Sequence, residues 1–195
     1  EPDPECFEVI KKNIEFHQLK NVHLSQCALS DEEKTVHFFK DEYYSTLGSF
    51  AKNNTNHNTK ALKVKTCKLD DYVKKHSIQK VDLIKLNIQG SEGLAIEGAK
   101  NIIEKDLPLI ITEYWPYGMK NIGYDSKQFI EYFLSLNYEF IQFDKKTLEI
   151  NYIKSNEIRS IYNLSKRDEV FYFILQNSKS DNYLKEIKSE LFSKY

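Results

Sequence analysis

Three places in the sequence put chemistry-bearing side chains directly beside a helix or strand boundary. In VDLIKLNIQGSEGLAIEGAK, residues 81–100, Asn87, Gln89 and Glu92 surround Gly90 at and just past the end of the strand-like stretch Val81–Ile88. In PLIITEY, Glu113 sits at the end of a second apolar run, and Trp115 follows it. Glu1 stands immediately before the first helical segment. A carboxylate accepts from two hydroxyls at once or takes a proton as a general base; an asparagine keeps the hydrogen-bonding shape without the charge. In open α/β sheets ligands bind beyond the carboxyl ends of the strands, so these positions read as the edge of a site. An acidic residue at the place of Glu1 is the group that holds ribose hydroxyls in nucleotide-binding α/β folds. Three of these residues have structural readings as well. Glu1 reads equally as an exposed glutamate at a chain terminus. Glu92 suits the positive end of the helix that follows it, and Trp115, before Pro116, suits the packing of a loop. Tyr43, Tyr44, Ser45 and Thr46 fit either an acceptor pocket or an exposed aromatic loop.

The elements that must position these groups follow from periodicity. EPDPECFEVIKKNIEFHQ is a helix: Asp3 caps it, Pro4 fits its first position, Glu5 and Glu8 lie near its positive end, and Phe7, Ile10 and Ile14 share one face. NVHLSQCALS and KTVHFFK are strands, whereas EYYSTLGSF and AKNNTNHNTKA read as a long surface loop. LKVKTCKLDDYV alternates like an exposed or edge strand and passes into a short helix with Asp70 or Asp71 near its start. Val81–Ile88 is a strand in which Asp82 and Lys85 form a structural pair or a solvated edge. Leu94, Ala95, Ala99, Ile102 and Ile103 make a helix face, and Pro108–Tyr114 is again strand. DSKQFIEYFLSLN is a helix capped by Asp125 or Ser126; YEFIQF and, after an irregular segment, EVFYFILQ are strands; DNYLKEIKSELFSKY is a polar amphipathic helix. Strands alternating with helices argue βαβ units, a mostly parallel sheet, and helices on both faces.

Composition narrows the function classes. The 195 residues, 41% hydrophobic and 29% charged, suit one globular domain over 1–195. A net charge of −1 creates no general attraction to nucleic acid or anionic lipid. Cys6, Cys27 and Cys67 are odd in number and widely spaced, which fits reduced thiols in a cytoplasmic protein. The five histidines have no ligand spacing, so no metal site is expected. The longest apolar run, Val170–Leu175, is far short of the roughly 20 residues of a membrane span. Nothing in the sequence indicates an oligomeric state.

Four segments, EPDPECFEVIKKNI, CALSD, VDLIKLNIQGSEGLAIEGAK and IITEYWPYGMKNIGYD, resemble in order and spacing the FkbM-type S-adenosylmethionine-dependent methyltransferases. The resemblance covers roughly residues 1–145 and, weakly, the last strand. It implies the Rossmann-like class I methyltransferase fold, an α/β fold with a mostly parallel sheet and an antiparallel last strand. It implies S-adenosylmethionine as cofactor and a small-molecule hydroxyl acceptor, a sugar or other metabolite, as partner. Carried over residue by residue, Glu1 would hold the cofactor's ribose, Ala28 and Leu29 would lie against its adenine, and Asn87 would edge both cofactor and reaction. Asn87, Glu92 and Glu113 are the catalytic candidates; Ser45 and Trp115 are the candidates for acceptor binding. The sequence departs from the family in two ways. The glycine-rich loop and first strand would lie upstream of Glu1, so the chain reads as an N-terminally truncated domain that binds cofactor weakly. Asn87 stands where the family usually has Asp, which moves the expected base to Glu92 or Glu113. The alternative reading is a catalytically silent methyltransferase-like domain that binds a partner or glycan. A nicotinamide-dependent dehydrogenase is disfavoured by the lack of a G-x-G-x-x-G motif.

Overall fold

The computed structural model describes residues 1–44, 47–55, 58–144, 147, 149–164 and 166–179. Ser45 and Thr46, and the C-terminal helix expected from DNYLKEIKSELFSKY, lie outside the described residues.

Helix α1, Pro4–Phe16, begins as its sequence dictates, with the Asp3 carboxylate accepting from the Glu5 N–H at 2.9 Å. Strand β1, Ala28–Leu29, is much shorter than NVHLSQCALS suggested, because only its end finds a ladder partner. Strands β2, Thr35–Asp41, and β3, Thr59–Cys67, form an antiparallel pair, and β1 joins the other edge of β3 in parallel. The resulting order β1-β3-β2 decides between two readings: LKVKTC belongs to a central strand with one exposed face, not to an edge strand. Its alternation arises because one face of this small sheet meets solvent while Val64 and Thr66 point inward. Helix α2, Leu69–Lys75, carries Asp70 in its first turn. The Asp70 carboxylate also accepts from the N–H groups of Asn101 and Ile102, at 3.1 and 3.0 Å, and so caps a later helix.

The second sheet holds the core. Its strands are β4, Leu83–Leu86; β5, Leu109–Tyr114; β6, Tyr138–Phe143; β7, Ile150–Ile153; and β8, Phe171–Asn177, in the order β4-β5-β8-β6-β7. β4 and β5 are parallel, and β8 is inserted antiparallel between β5 and β6, so β4, β5 and β6 all run the same way. The antiparallel last strand is therefore present, and β7, which no sequence signal announced, pairs antiparallel with β6. The helix face after β4 is divided into α3, Glu92–Glu97, and α4, Lys100–Asp106. Gly98 ends α3 where its Cα passes the Ser30 carbonyl: a Cβ there would come within 2.0 Å of that oxygen. A short helix α5, Pro116–Asn121, follows Trp115, and α6, Ser126–Ser135, is capped by Asp125. The irregular segment also contains α7, Ser155–Ile158, and a 3-10 turn at Arg159–Asn163.

Ile84, Leu86, Ile96, Ile103, Ile110, Phe129, Phe133, Phe140, Phe173 and Leu175 form one apolar cluster between sheet and helices. Tyr114 is wholly buried within it, its ring 5.6 Å from Phe129 and 5.9 Å from Phe173, and its hydroxyl donates to the Ser126 carbonyl. Burying a large apolar side chain contributes about 1.5–3 kcal/mol. The strands that carry Asn87 and Glu113 are therefore rigid mounts. Among the described residues no helix is long and apolar enough to cross a membrane.

Candidate functional site

The turn after β4 is built to hold a fixed backbone shape. Gln89 and Gly90 both have positive φ, 54° and 95°. A Cβ at Gly90 would lie 2.6 Å from the Gly118 carbonyl carbon and 2.8 Å from Asn54 Nδ2. Both the dihedral and the close approach therefore require glycine. Beneath the turn, Glu92 is wholly buried and accepts from the Ile88 N–H at 2.7 Å and the Gly90 N–H at 2.9 Å. Burial pushes its carboxyl up to about 7, and the nearby charge of Glu113 adds to the shift.

From above, the turn is held by a loop far away in sequence. The Asn54 amide, itself buried, donates to the Gln89 carbonyl at 2.9 Å and the Gly118 carbonyl at 3.1 Å, and accepts from Asn121 Nδ2 at 2.8 Å. The Ser49 hydroxyl donates to the same Gln89 carbonyl at 2.8 Å. The polar stretch read as a surface loop is thus, at Ser49, Asn54 and Thr55, buried structure that fastens the turn to α5. It was illegible because a polar loop residue that satisfies buried carbonyls looks the same in sequence as one that faces water.

Two clefts open around this turn. The larger, of about 730 Å³, is walled by Glu1, Ala28, Leu29, Asn87 and Glu113, together with Phe38, Phe50 and the thiol-bearing Cys6 and Cys27. Five sequence-predicted site residues thus come together at the ends of β1, β4 and β5. The Glu1 carboxylate accepts from the Asp3 N–H at 2.8 Å, which fixes it at the start of α1 and leaves lone-pair capacity for a diol. Asn87 is exposed and its Oδ1 accepts from Gln89 Nε2 at 3.1 Å. Lys85 and Tyr172, which the sequence reading did not assign to the site, also line this cleft.

The smaller cleft, of about 390 Å³, is lined by Leu47, Asn54, Gln89, Glu113, Trp115, Arg167, Asp168 and Val170. Leu47, Gln89 and Glu113 border both clefts and form the wall between them. Trp115 Nε1 donates to the Arg167 carbonyl at 2.9 Å, and the Arg167 guanidinium donates to the Thr55 carbonyl at 2.7 Å. The loop before β8 is thereby fastened on two sides. Arg167 and Asp168 escaped the sequence reading, although one signal was there. The chain has two arginines among its 28 basic residues, Arg159 and Arg167. Arg159 forms a two-pronged pair with Glu131, the use for which a planar guanidinium surpasses lysine.

Glu92 lines neither cleft, and both of its carboxylate oxygens accept hydrogen bonds from the turn. Ser45 lies outside the described residues. Among the described residues no group of three or more His, Cys, Asp or Glu side chains is arranged to hold a metal ion.

A sheet with helices packed against it and a cleft beyond its parallel strand ends defines a Rossmann-like α/β ligand-binding domain. Over residues 1–140 the sequence matches the profile described as the Methyltransferase FkbM domain, and the chain belongs to that family, with its methyltransferase fold. No curated protein matches the chain. Among solved structures it is similar to the methyltransferase FkbM from Methylobacillus flagellatus KT, at 14% identity and a TM-score of 0.49. The match covers 89% of this chain and 35% of that one, so the chain spans about a third of the length of that protein.

Proposed function

We propose that the domain transfers a methyl group from S-adenosylmethionine to a hydroxyl of a sugar or other small metabolite. The observation that carries this reading is the shared wall. A cofactor-sized cleft and a smaller one meet at Glu113, which is the arrangement a two-substrate transfer needs. Family membership supports the cofactor assignment.

The lining of the larger cleft fits the cofactor. Glu1 supplies a carboxylate for the ribose diol, Ala28 and Leu29 supply a small apolar surface for the adenine, and Asn87 supplies an amide at the end of β4. S-adenosylmethionine, when bound, supplies an electrophilic methyl on a sulfonium. The remaining work belongs to the chain. The walls hold two reactants in line and exclude water, an effect worth about 7–11 kcal/mol of barrier. Glu113, at the junction, takes the acceptor proton, which Asn87 cannot do. Glu92 holds the turn that carries Gln89, and so sets the width of the junction.

Calorimetric titration of S-adenosylmethionine into the chain tests the reading. Saturable binding that weakens in Glu1→Ala is expected. No binding by the folded chain would remove the cofactor assignment and leave a methyltransferase-like binding domain.

A further inference from the structure

Methyl transfer as proposed needs no thiol, yet Cys6 and Cys27 both line the larger cleft and Cys67 touches Cys27. Leu29 in β1 pairs in parallel register with Cys67 at the end of β3. Side chains alternate along an extended chain, so Cys27, two positions before Leu29, projects to the same side as Cys67. There the two side chains meet, and the Cys67 thiol donates a hydrogen bond to the Cys27 sulfur. No disulfide joins them: all three cysteines are free and half-buried.

The contact makes the two sulfurs unequal. The hydrogen bond from Cys67, acting against burial, lowers the Cys27 thiol to about 7. The same bond, together with burial, pushes Cys67 upward, so its proton stays in place. Cys6 differs from Cys27, because burial and the carboxylates of Asp3 and Glu1 push its thiol up. The larger cleft therefore carries one sulfur with thiolate character, backed by a protonated thiol, and one that stays a thiol. An accessible, acidic cysteine beside a second cysteine is the arrangement of a redox-reactive pair.

We propose that Cys27 and Cys67 form a reversible disulfide on exposure to a hydroperoxide, with Cys27 the attacking sulfur and Cys67 the resolving one. Neither the cofactor nor methyl transfer is required for it. The Cys27 thiolate attacks one peroxide oxygen: an S–O bond forms, the O–O bond breaks, and hydroxide leaves and is protonated to water. Cys27 becomes a sulfenic acid, giving up the two electrons that the peroxide gains. The Cys67 sulfur then attacks the Cys27 sulfur. The S–S bond forms, the S–O bond breaks, and the departing hydroxide takes the Cys67 proton as a second water. The hydrogen bond already aims that proton at the Cys27 sulfur, beside the oxygen that must leave. A small-molecule thiol restores both cysteines by exchange. The disulfide ties the start of β1 to the end of β3 and replaces a thiol on the wall of the larger cleft.

Peptide mapping of the full chain tests it, since trypsin leaves Cys6, Cys27 and Cys67 in three separate peptides. On the reduced protein, iodoacetamide should label Cys27 about tenfold faster than Cys6, the net of a larger thiolate fraction and a lower intrinsic nucleophilicity. Hydrogen peroxide should give one cross-link within the chain, Cys27 to Cys67, lighter by two hydrogen atoms and opened by dithiothreitol, with Cys6 still open to alkylation. Cys67→Ser should stop Cys27 at the sulfenic acid, which dimedone captures, and Cys6→Ser should leave the cross-link unchanged. The wild-type map decides even where a variant folds poorly. The pair is overturned if the folded wild-type chain leaves Cys27 unreacted or oxidises it without the cross-link. It is equally overturned if the cross-link includes Cys6 or joins two chains, or if Cys6 is labelled as fast as Cys27.

Discussion

The two clefts are made of different kinds of sequence. The larger takes much of its lining from element ends and the residues next to them, with Leu47, Gly48 and Phe50 added from a loop: Glu1 beside α1, Ala28 and Leu29 in β1, Leu86 to Gln89 at and after the end of β4. The smaller is assembled from segments far apart in the chain, around Asn54, Trp115 and Arg167, which only folding brings together. Glu113 belongs to both. A wall of strand ends is set by the sheet and tolerates little variation, whereas a wall of loops can be rebuilt without disturbing the core. On the proposed function, the cofactor would meet the rigid part of the molecule and the acceptor the part that can be rebuilt.

Substitution at the shared wall gives the largest expected effect. Glu113→Gln keeps the shape and removes the proton acceptor, so kcat on an accepted glycoside should fall about 10²–10⁴-fold, with a much smaller change in calorimetric cofactor affinity. Retained turnover would move the base elsewhere and dissolve the special status of the junction.

The next effect concerns the turn that both clefts share, and it depends on pH. Because the folded state holds the Glu92 carboxyl near 7 against an ordinary 4.5, the folded protein binds the proton more tightly than the unfolded chain over that window. The contribution is fully present below about pH 4.5 and is lost as the pH rises through about 7, by an amount on the order of 3 kcal/mol. Denaturation midpoints of the wild type, measured against Glu92→Gln across pH 4.5–8, should show this decline in the wild type alone. Parallel pH profiles would mean that Glu92 titrates normally.

The smallest effect isolates the loop-built wall. Asn54→Ala leaves the Gln89 and Gly118 carbonyls short of a donor, which costs about 1–3 kcal/mol of stability in urea unfolding. Glycoside binding should weaken more than cofactor binding, because Asn54 lines the smaller cleft and not the larger. Equal losses would show that the turn moves as a unit and that the two clefts are not separable.

The legibility of the site follows the same division. Asp3 and Asp125 capped the helices expected of them, because a cap is a local matter of one side chain and a nearby backbone N–H. Glu1, Ala28, Leu29, Asn87 and Glu113 were legible because each lies at or beside the boundary of a periodic element, and parallel strands carry such boundaries to one edge. Glu92 was legible as a residue of the turn but not in its burial beneath it. Nothing in G-S-E-G tells whether the carboxylate points into a cleft or folds back under its own turn. Asn54 and Arg167 were missed because most of their partners lie more than thirty positions away, and Asp168 because only folding brings it beside Glu113 and Trp115.

The sequence by itself determined most of the helices and strands, the glycine turn after β4 and the membership of the chain in the FkbM methyltransferase family, since periodicity, capping and motif spacing act over a few residues at a time. Tertiary structure alone decided that β3 is a central strand, that Glu92 is buried under the turn, and that a second cleft adjoins the first across Glu113. Those outcomes depend on which surfaces and carbonyls are left after the elements pack, and no local pattern of residues records that.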